Sequence, residues 1–312
     1  MFNSTHTLAG LALSRTGLDR WTPHATWTAV IASNLPDIDI ITQLGGTASY
    51  IAYHRGITHT LLGVPLLSLL LAGVMWKISG NFARTFIIAV LVMATHPALD
   101  YANTYGIRPF TPIHDTWYYG DALFVIDPFL DSILAATLVA GNYFKVKRRG
   151  VAMAGLGVAL VYIGVRVQLR DIAREHLSEF TASVVGFQRS AVSPRMETPF
   201  VWTGIVETSE ADFSVAIDVI QGVTAELARM PKGDLSPTIE HARSARAARV
   251  FMGFARFPFV RVDQLESGYR VHFLDFRFYR ETTGTAFGAE ILLDKSLRVI
   301  SEEMGFTQRV ND

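Results

Sequence analysis

Apolar residues gather in long blocks through the first half of the chain and alternate with polar residues through the second. Residues 56–76 (GITHTLLGVPLLSLLLAGVMW) run for 21 positions without Lys, Arg, Asp or Glu. A membrane-spanning helix needs about 20 such residues. Similar blocks follow at 85–99, 122–144 and 151–165, and two shorter ones precede them at 7–14 and 25–36. The short ones suit tilted or re-entrant segments. The pattern predicts a mainly α membrane helical bundle of about six hydrophobic segments over residues 1–167. A large buried soluble core is the alternative, which the uncharged window disfavours.

From about residue 168 the period changes. Residues 166–190 carry charges at helical spacing and predict a helical continuation, after which VWTGIVE and FSVAIDV read as strands separated by SEAD. A polar linker with Pro231 and Pro237 leads to a helical stretch, TIEHARSARAARVF. Residues 261–280 and 289–300 read as antiparallel strands with turns at Glu266–Ser267–Gly268 and Asp294–Lys295–Ser296. Residues 168–312 therefore predict a smaller soluble α+β or β-rich domain.

Charge sharpens this division. The formal net charge is zero, yet residues 1–170 hold 12 Lys/Arg and 8 acids, all Asp, while residues 171–312 hold 16 and 20. The absence of cysteine excludes a disulfide framework, a thiolate metal site and a Cys nucleophile. If six segments alternate, the basic loops (Arg15 and Arg20, Lys77 and Arg84, Lys145 to Arg149) share one side. Positive loops prefer the cytoplasm. An inner (plasma) membrane protein with an extracytoplasmic C-terminal domain is expected.

Histidine and aspartate collect at the opposite, non-basic end. They occur in THTLAG (His6), NLPDID (Asp37, Asp39), YHRGITHT (His54, His59), THPALD (His96, Asp100) and YYGDALFVIDP (Asp121, Asp127). Ionisable groups in or beside a span are costly, so they pair, ligate or line a wet cavity. His96 and Asp100 are i and i+4, on one side of a helix. No single pair is specific; the convergence is. His6, Asp37, Asp39, His54, His59, His96 and Asp100 are the candidate metal ligands, and Asp121, Asp127 and Arg55 the candidate catalytic residues. Donors of this kind without thiolate fit Zn²⁺, with Mn²⁺ second, and their number suggests two or three ions. Each has a plainer reading: His6 as an interfacial polar residue, Asp37 and Asp39 as helix caps or partners of Arg55, Asp127 and Asp131 as buried hydrogen-bonding groups.

In order, His6 to Gly10 (H-x3-G), Asn34 to Asp39 (N-L-P-D-x-D), His54 to His59 (H-R-G-x-T-H), His96 to Asp100 (H-x3-D), Asn103 to Gly106 (N-T-Y-G) and Phe124 to Pro128 (F-x-I-D-P) resemble the membrane-bound metal-dependent hydrolase family of the LexA-regulated type. That family in turn resembles the zinc-dependent phospholipase C and single-strand nuclease superfamily. The resemblance implies a helical bundle holding up to three zinc ions and a phosphoester substrate.

The function expected is an integral-membrane, metal-dependent hydrolase using metal-activated water on a phosphoester, with a membrane lipid or lipid-linked molecule as partner. Arg55 would clamp an anionic oxygen. An ion or proton transporter using the same residues, or a noncatalytic scaffold with a partner-binding domain, are the alternatives. No nucleic-acid motif is present.

Overall fold

The computed structural model describes residues 1–232, 236–279 and 284–307. Contacts divide them into two compact units: Met1–Asp39, Arg55–Arg170 and Pro194–Pro199 form one; Ile40–His54, Asp171–Ser193 and the chain from Phe200 form the other. The first half is helical: α1 (Asn3–Ser14), α2 (Ala25–Asn34), α3 (Thr47–Tyr53), α4 (Gly63–Ser79), α5 (Phe82–Tyr101), α6 (Pro128–Tyr143) and α7 (Arg148–Thr181). Of these, α3 belongs to the second unit, and the boundary expected at 167/168 falls inside α7.

Each of the six hydrophobic blocks contains a helix; α2, α4 and α6 are shorter than their blocks, while α1, α5 and α7 run beyond theirs. In the 56–76 block the helix starts at Gly63, because residues Ile57–His59 make a 3-10 turn. The Thr60 hydroxyl accepts from Gly63 N at 2.8 Å and ends that turn. A side chain at Gly63 would put its Cβ 1.8 Å from the Ile57 carbonyl oxygen, so only glycine fits. In the 122–144 block the helix starts at Pro128, with Asp127 as its N-cap accepting from Leu130 N at 3.0 Å. Among the described residues α5 and α7 are long and apolar enough to cross a membrane, and a third span results if the helices either side of the break before Gly63 are counted together.

Small residues set the packing of the first unit. Ala25, Ala29 and Ala32 of α2 let Val64, Leu71 and Met75 of α4 and Ile88, Val92 and Met93 of α5 close into one buried cluster. A second cluster joins Ala9 and Ala12 of α1 to Leu130, Leu134 and Leu138 of α6 and Ala159 of α7. These two clusters bring the non-basic ends of α1, α2 and α5 together, where the polar residues lie.

The second unit is built on two four-stranded antiparallel meanders. The first contains β1 (Phe187–Pro194), β2 (Val201–Thr208), β3 (Ala211–Asp218) and β4 (Gly222–Pro231). After α8 (Pro237–Arg243) and α9 (Arg246–Phe254), β5 (Pro258–Leu265), β6 (Gly268–Asp275), β7 (Phe287–Asp294) and β8 (Val299–Phe306) form the second sheet. Two expectations are corrected here. Residues 187–190 are strand rather than helix, since Gly186 at φ 70° turns the chain first. The polar stretch before Pro231 is strand β4, paired along β3 from Asp218↔Gly222 to Ala211↔Pro231. The expected pairs β2–β3, β5–β6 and β7–β8 are present; Arg280 lies outside the described residues. Phe257, Phe259, Leu274 and Phe276 pack with Ala191 and Ile205 in a core shared by the two sheets.

Candidate metal centre

The group is assembled by three pieces of chain. The 3-10 stretch Leu35–Gly45 leaves α2 and carries Asp37 and Asp39. The turn Ile57–His59 carries His59, and the last two turns of α5 carry His96 and Asp100. The sequence places the latter pair four apart in a helix, so they stack along one face.

His59 Nε2 and His96 Nε2 lie 3.2 Å apart. Asp37 Oδ1 is 3.4 Å from each of them, and Asp100 Oδ2 is 3.4 Å from His59 Nε2 and 3.3 Å from His96 Nε2. One donor atom of each of the four residues lies within 4.8 Å of the others. A regular tetrahedron with arms of about 2.0–2.1 Å, the zinc–nitrogen and zinc–oxygen length, has edges of roughly 3.3–3.4 Å. The five spacings given, 3.2 to 3.4 Å, match those edges, and these four residues could hold a metal ion.

Hydrogen bonds on the far side of each ring fix the donors. His96 Nδ1 sits 2.7 Å from the Ser33 carbonyl oxygen, which only accepts, so Nδ1 carries the proton and in the neutral ring Nε2 has the lone pair. His59 Nδ1 lies 3.0 Å from the Thr58 hydroxyl, whose proton goes to Asp39 Oδ2 at 3.2 Å. The hydroxyl therefore accepts from His59, which takes the same tautomer. Such outer partners orient metal-binding histidines generally. Both histidines and Asp100 are buried; Asp37, with 16% of its side chain exposed, is the accessible edge.

The other expected residues surround this group in distinct roles. Asp39 accepts from Arg55 N at 3.0 Å as well as from Thr58, so it braces the turn that carries His59. His6 is fully buried with its ring stacked on His96, centroids 3.6 Å apart, and its Nε2 3.5 Å from Asp100 Oδ1. Its ring nitrogens have no hydrogen-bond partner, which leaves it a second donor beside the four. His54 closes the 40–54 segment of the second unit, buried, with its ring stacked on Tyr50.

The three residues expected to be catalytic have the following surroundings. The Arg55 guanidinium is held by neighbouring protein groups. Its backbone is left-handed (φ 54°), Nη2 donates to Asp100 Oδ1 at 2.8 Å, and Nη1 donates to the Gly106 carbonyl at 2.9 Å and to Asn103 Oδ1 at 3.3 Å. The Tyr105 ring covers it at 4.4 Å. The N-T-Y-G stretch thus grips Arg55, and Arg55 with the Met1 amino group neutralises one oxygen of Asp100 while the other faces the histidines. Asp127 caps α6 and accepts from the Tyr162 hydroxyl at 2.9 Å and 3.1 Å, so its carboxylate is committed to structure. Asp121 is buried in the loop between α5 and α6, with φ 52°. Sequence reading missed the Ser33 carbonyl and the Thr58 hydroxyl; the position of Thr58 directly before His59 was the available signal.

A helical membrane unit with buried histidine and aspartate donors, followed by two antiparallel sheets, defines an integral membrane protein able to hold a metal ion. Residues 1–173 match the model of the YdjM inner membrane protein family, and the chain belongs to that family. Residues 237–311 match the YfhP C-terminal alpha/beta plait domain. Over 322 residues the chain is 25% identical to the uncharacterized protein YfhP of Bacillus subtilis (strain 168), covering 98% of this chain and 95% of that one. No solved structure matches the chain.

Proposed function

We propose that the protein is an integral-membrane metal-dependent hydrolase. The observation that carries this reading is the set of four donors at tetrahedral-edge spacing, with both imidazole lone pairs turned inward. Zn²⁺ suits two imidazoles and two carboxylates, with Mn²⁺ the second choice. Such an ion supplies Lewis acidity toward an ester oxygen and toward water. The chain's own residues do the rest. Asp37 meets solvent at the edge of the group. Asp39, joined to His59 through Thr58, is the carboxylate placed to take up a proton. Arg55 holds Asp100 in place, and His6 adds a donor for a further ion, in line with the two or three ions expected.

The substrate class is a phosphoester, lipid-linked because the donors belong to the membrane unit. What supports this is the resemblance of the Asp39-to-His54 interval and of the His96–Asp100 pair to the carboxylate, His and H-x3-D ligands of the phospholipase C and nuclease superfamily. The topology that goes with this reading has six segments, the donors and the C-terminal domain lying outside the cytoplasm. The test is hydrolysis by the full chain in detergent, loaded with Zn²⁺ or Mn²⁺, on bis(4-nitrophenyl) phosphate and on phospholipid. Turnover abolished by chelation and in His96→Ala is the expected result. A metal-loaded protein that cleaves neither substrate overturns the reading.

A further inference from the structure

Two stretches beside the four-donor group are turned inside out relative to a loop in water. In residues 57–62 the polar side chains face inward: Thr58 bonds to Asp39, His59 enters the donor group, and Thr60 bonds to the Ile57 carbonyl at 2.8 Å. Ile57, Leu61 and Leu62 face outward. Residues 109–113 (PFTPI) carry no charge and expose Phe110 and Ile113, the latter to 81%. The stretches touch, Leu61 N donating to the Pro109 carbonyl at 3.2 Å. Much of their backbone needs no water as a partner. Pro109 and Pro112 have no N–H, while Thr60, Thr111 and Ile113 donate to Ile57, Arg108 and Phe110.

This apolar surface continues a helix face. Leu62, Leu66, Leu69, Leu70 and Val74 are all exposed at helical spacing, so Leu62 extends the outward stripe of α4. With 17 residues α4 is about 26 Å long, short of the roughly 30 Å hydrocarbon core. The segments at its start can supply the remainder.

We propose that residues 57–62 and 109–113 form a collar inserted among the acyl chains of the bilayer, the second stretch lying between the hydrophobic blocks 85–99 and 122–144. Ile57, Leu61, Leu62, Phe110 and Ile113 are the inserted side chains. His114 and Asp115, next in the chain and exposed, then mark the headgroup level. The proposal concerns the surface around the donors and holds whatever reaction they support.

The natural absence of cysteine makes the test direct. Full-length Leu61→Cys and Ile113→Cys, each carrying an environment-sensitive fluorophore, are reconstituted in phosphatidylcholine/phosphatidylglycerol vesicles. Leu66→Cys on the α4 stripe is the lipid reference. Ile220→Cys, in an exposed turn of the second unit, is the water reference. Brominated lipid should quench both collar labels roughly two-fold, as it does at Leu66, and aqueous iodide should leave them unchanged. Iodide quenching equal to that at Ile220 overturns the proposal. So does protection from both quenchers together with a disulfide-linked Leu61→Cys dimer, which would mean that a second copy covers this surface.

Discussion

A single hydroxyl separates a bound histidine from a merely buried one at this site. Thr58 bridges His59 Nδ1 and Asp39 Oδ2 and so fixes the tautomer of that ring. Thr58→Val keeps the shape and removes the bridge, so metal affinity should fall about 10- to 100-fold, while Thr58→Ser should retain it; competition with a chromogenic chelator measures both. Arg55 gives the complementary case. Arg55→Met leaves the buried Asp100 carboxylate without its guanidinium partner, and breaking such a pair costs about 3–5 kcal/mol. A large drop in melting temperature is therefore expected; an unchanged melting temperature with lost turnover would instead return Arg55 to the role of anion clamp. At this scale the sequence showed the donors well, because His96 and Asp100 share a helix face and His59 ends a distinctive motif. It could not show Ser33, since every residue offers a carbonyl, nor that Arg55 reaches across 45 positions to Asp100.

At the level of elements, the break before α4 decides where His59 sits. Gly63→Ala would drive a Cβ into the Ile57 carbonyl, displacing the turn that carries His59. The strain should cost at least the ~1–3 kcal/mol of an overpacked core, and part of the bound metal should be lost with it. Gly73→Ala, with nothing within 4 Å of the added Cβ, is the control that should lose neither. The apolar blocks were legible because a membrane helix leaves a long uncharged run. Their true starts were not, because Gly63 and Pro128 act through contacts and caps that hydropathy does not encode. Strand β4 escaped for a related reason: Thr224, Glu226 and Arg229 make an edge strand look like a linker.

For the whole molecule, the two kinds of sequence correspond to two kinds of chemistry, and each can be probed separately. In the first sheet Asp212 of β3 is 2% exposed, 3.7 Å from Lys232 Nζ, and burial pushes its carboxyl up to about 6. An unfolded Asp releases its proton near pH 3.9. Between about pH 4 and 6 the folded chain keeps a proton that the unfolded chain has lost, so Asp212 lowers stability as pH rises through that window and has no further effect above it. Asp212→Asn should abolish this contribution, seen as a melting-temperature difference from the unsubstituted protein that grows from pH 4 to pH 6 and then levels. For the membrane unit, the central claim is that Asp37, His59, His96 and Asp100 are metal ligands. Elemental analysis of the detergent-purified full chain, after reconstitution with Zn²⁺ or Mn²⁺ and removal of free ion, tests it most directly. The protein should retain at least one equivalent, and Asp37→Asn and His96→Ala should each lose it while remaining folded. Retention of no transition metal, or equal retention in both variants, would contradict the account and leave the cluster a structural polar core.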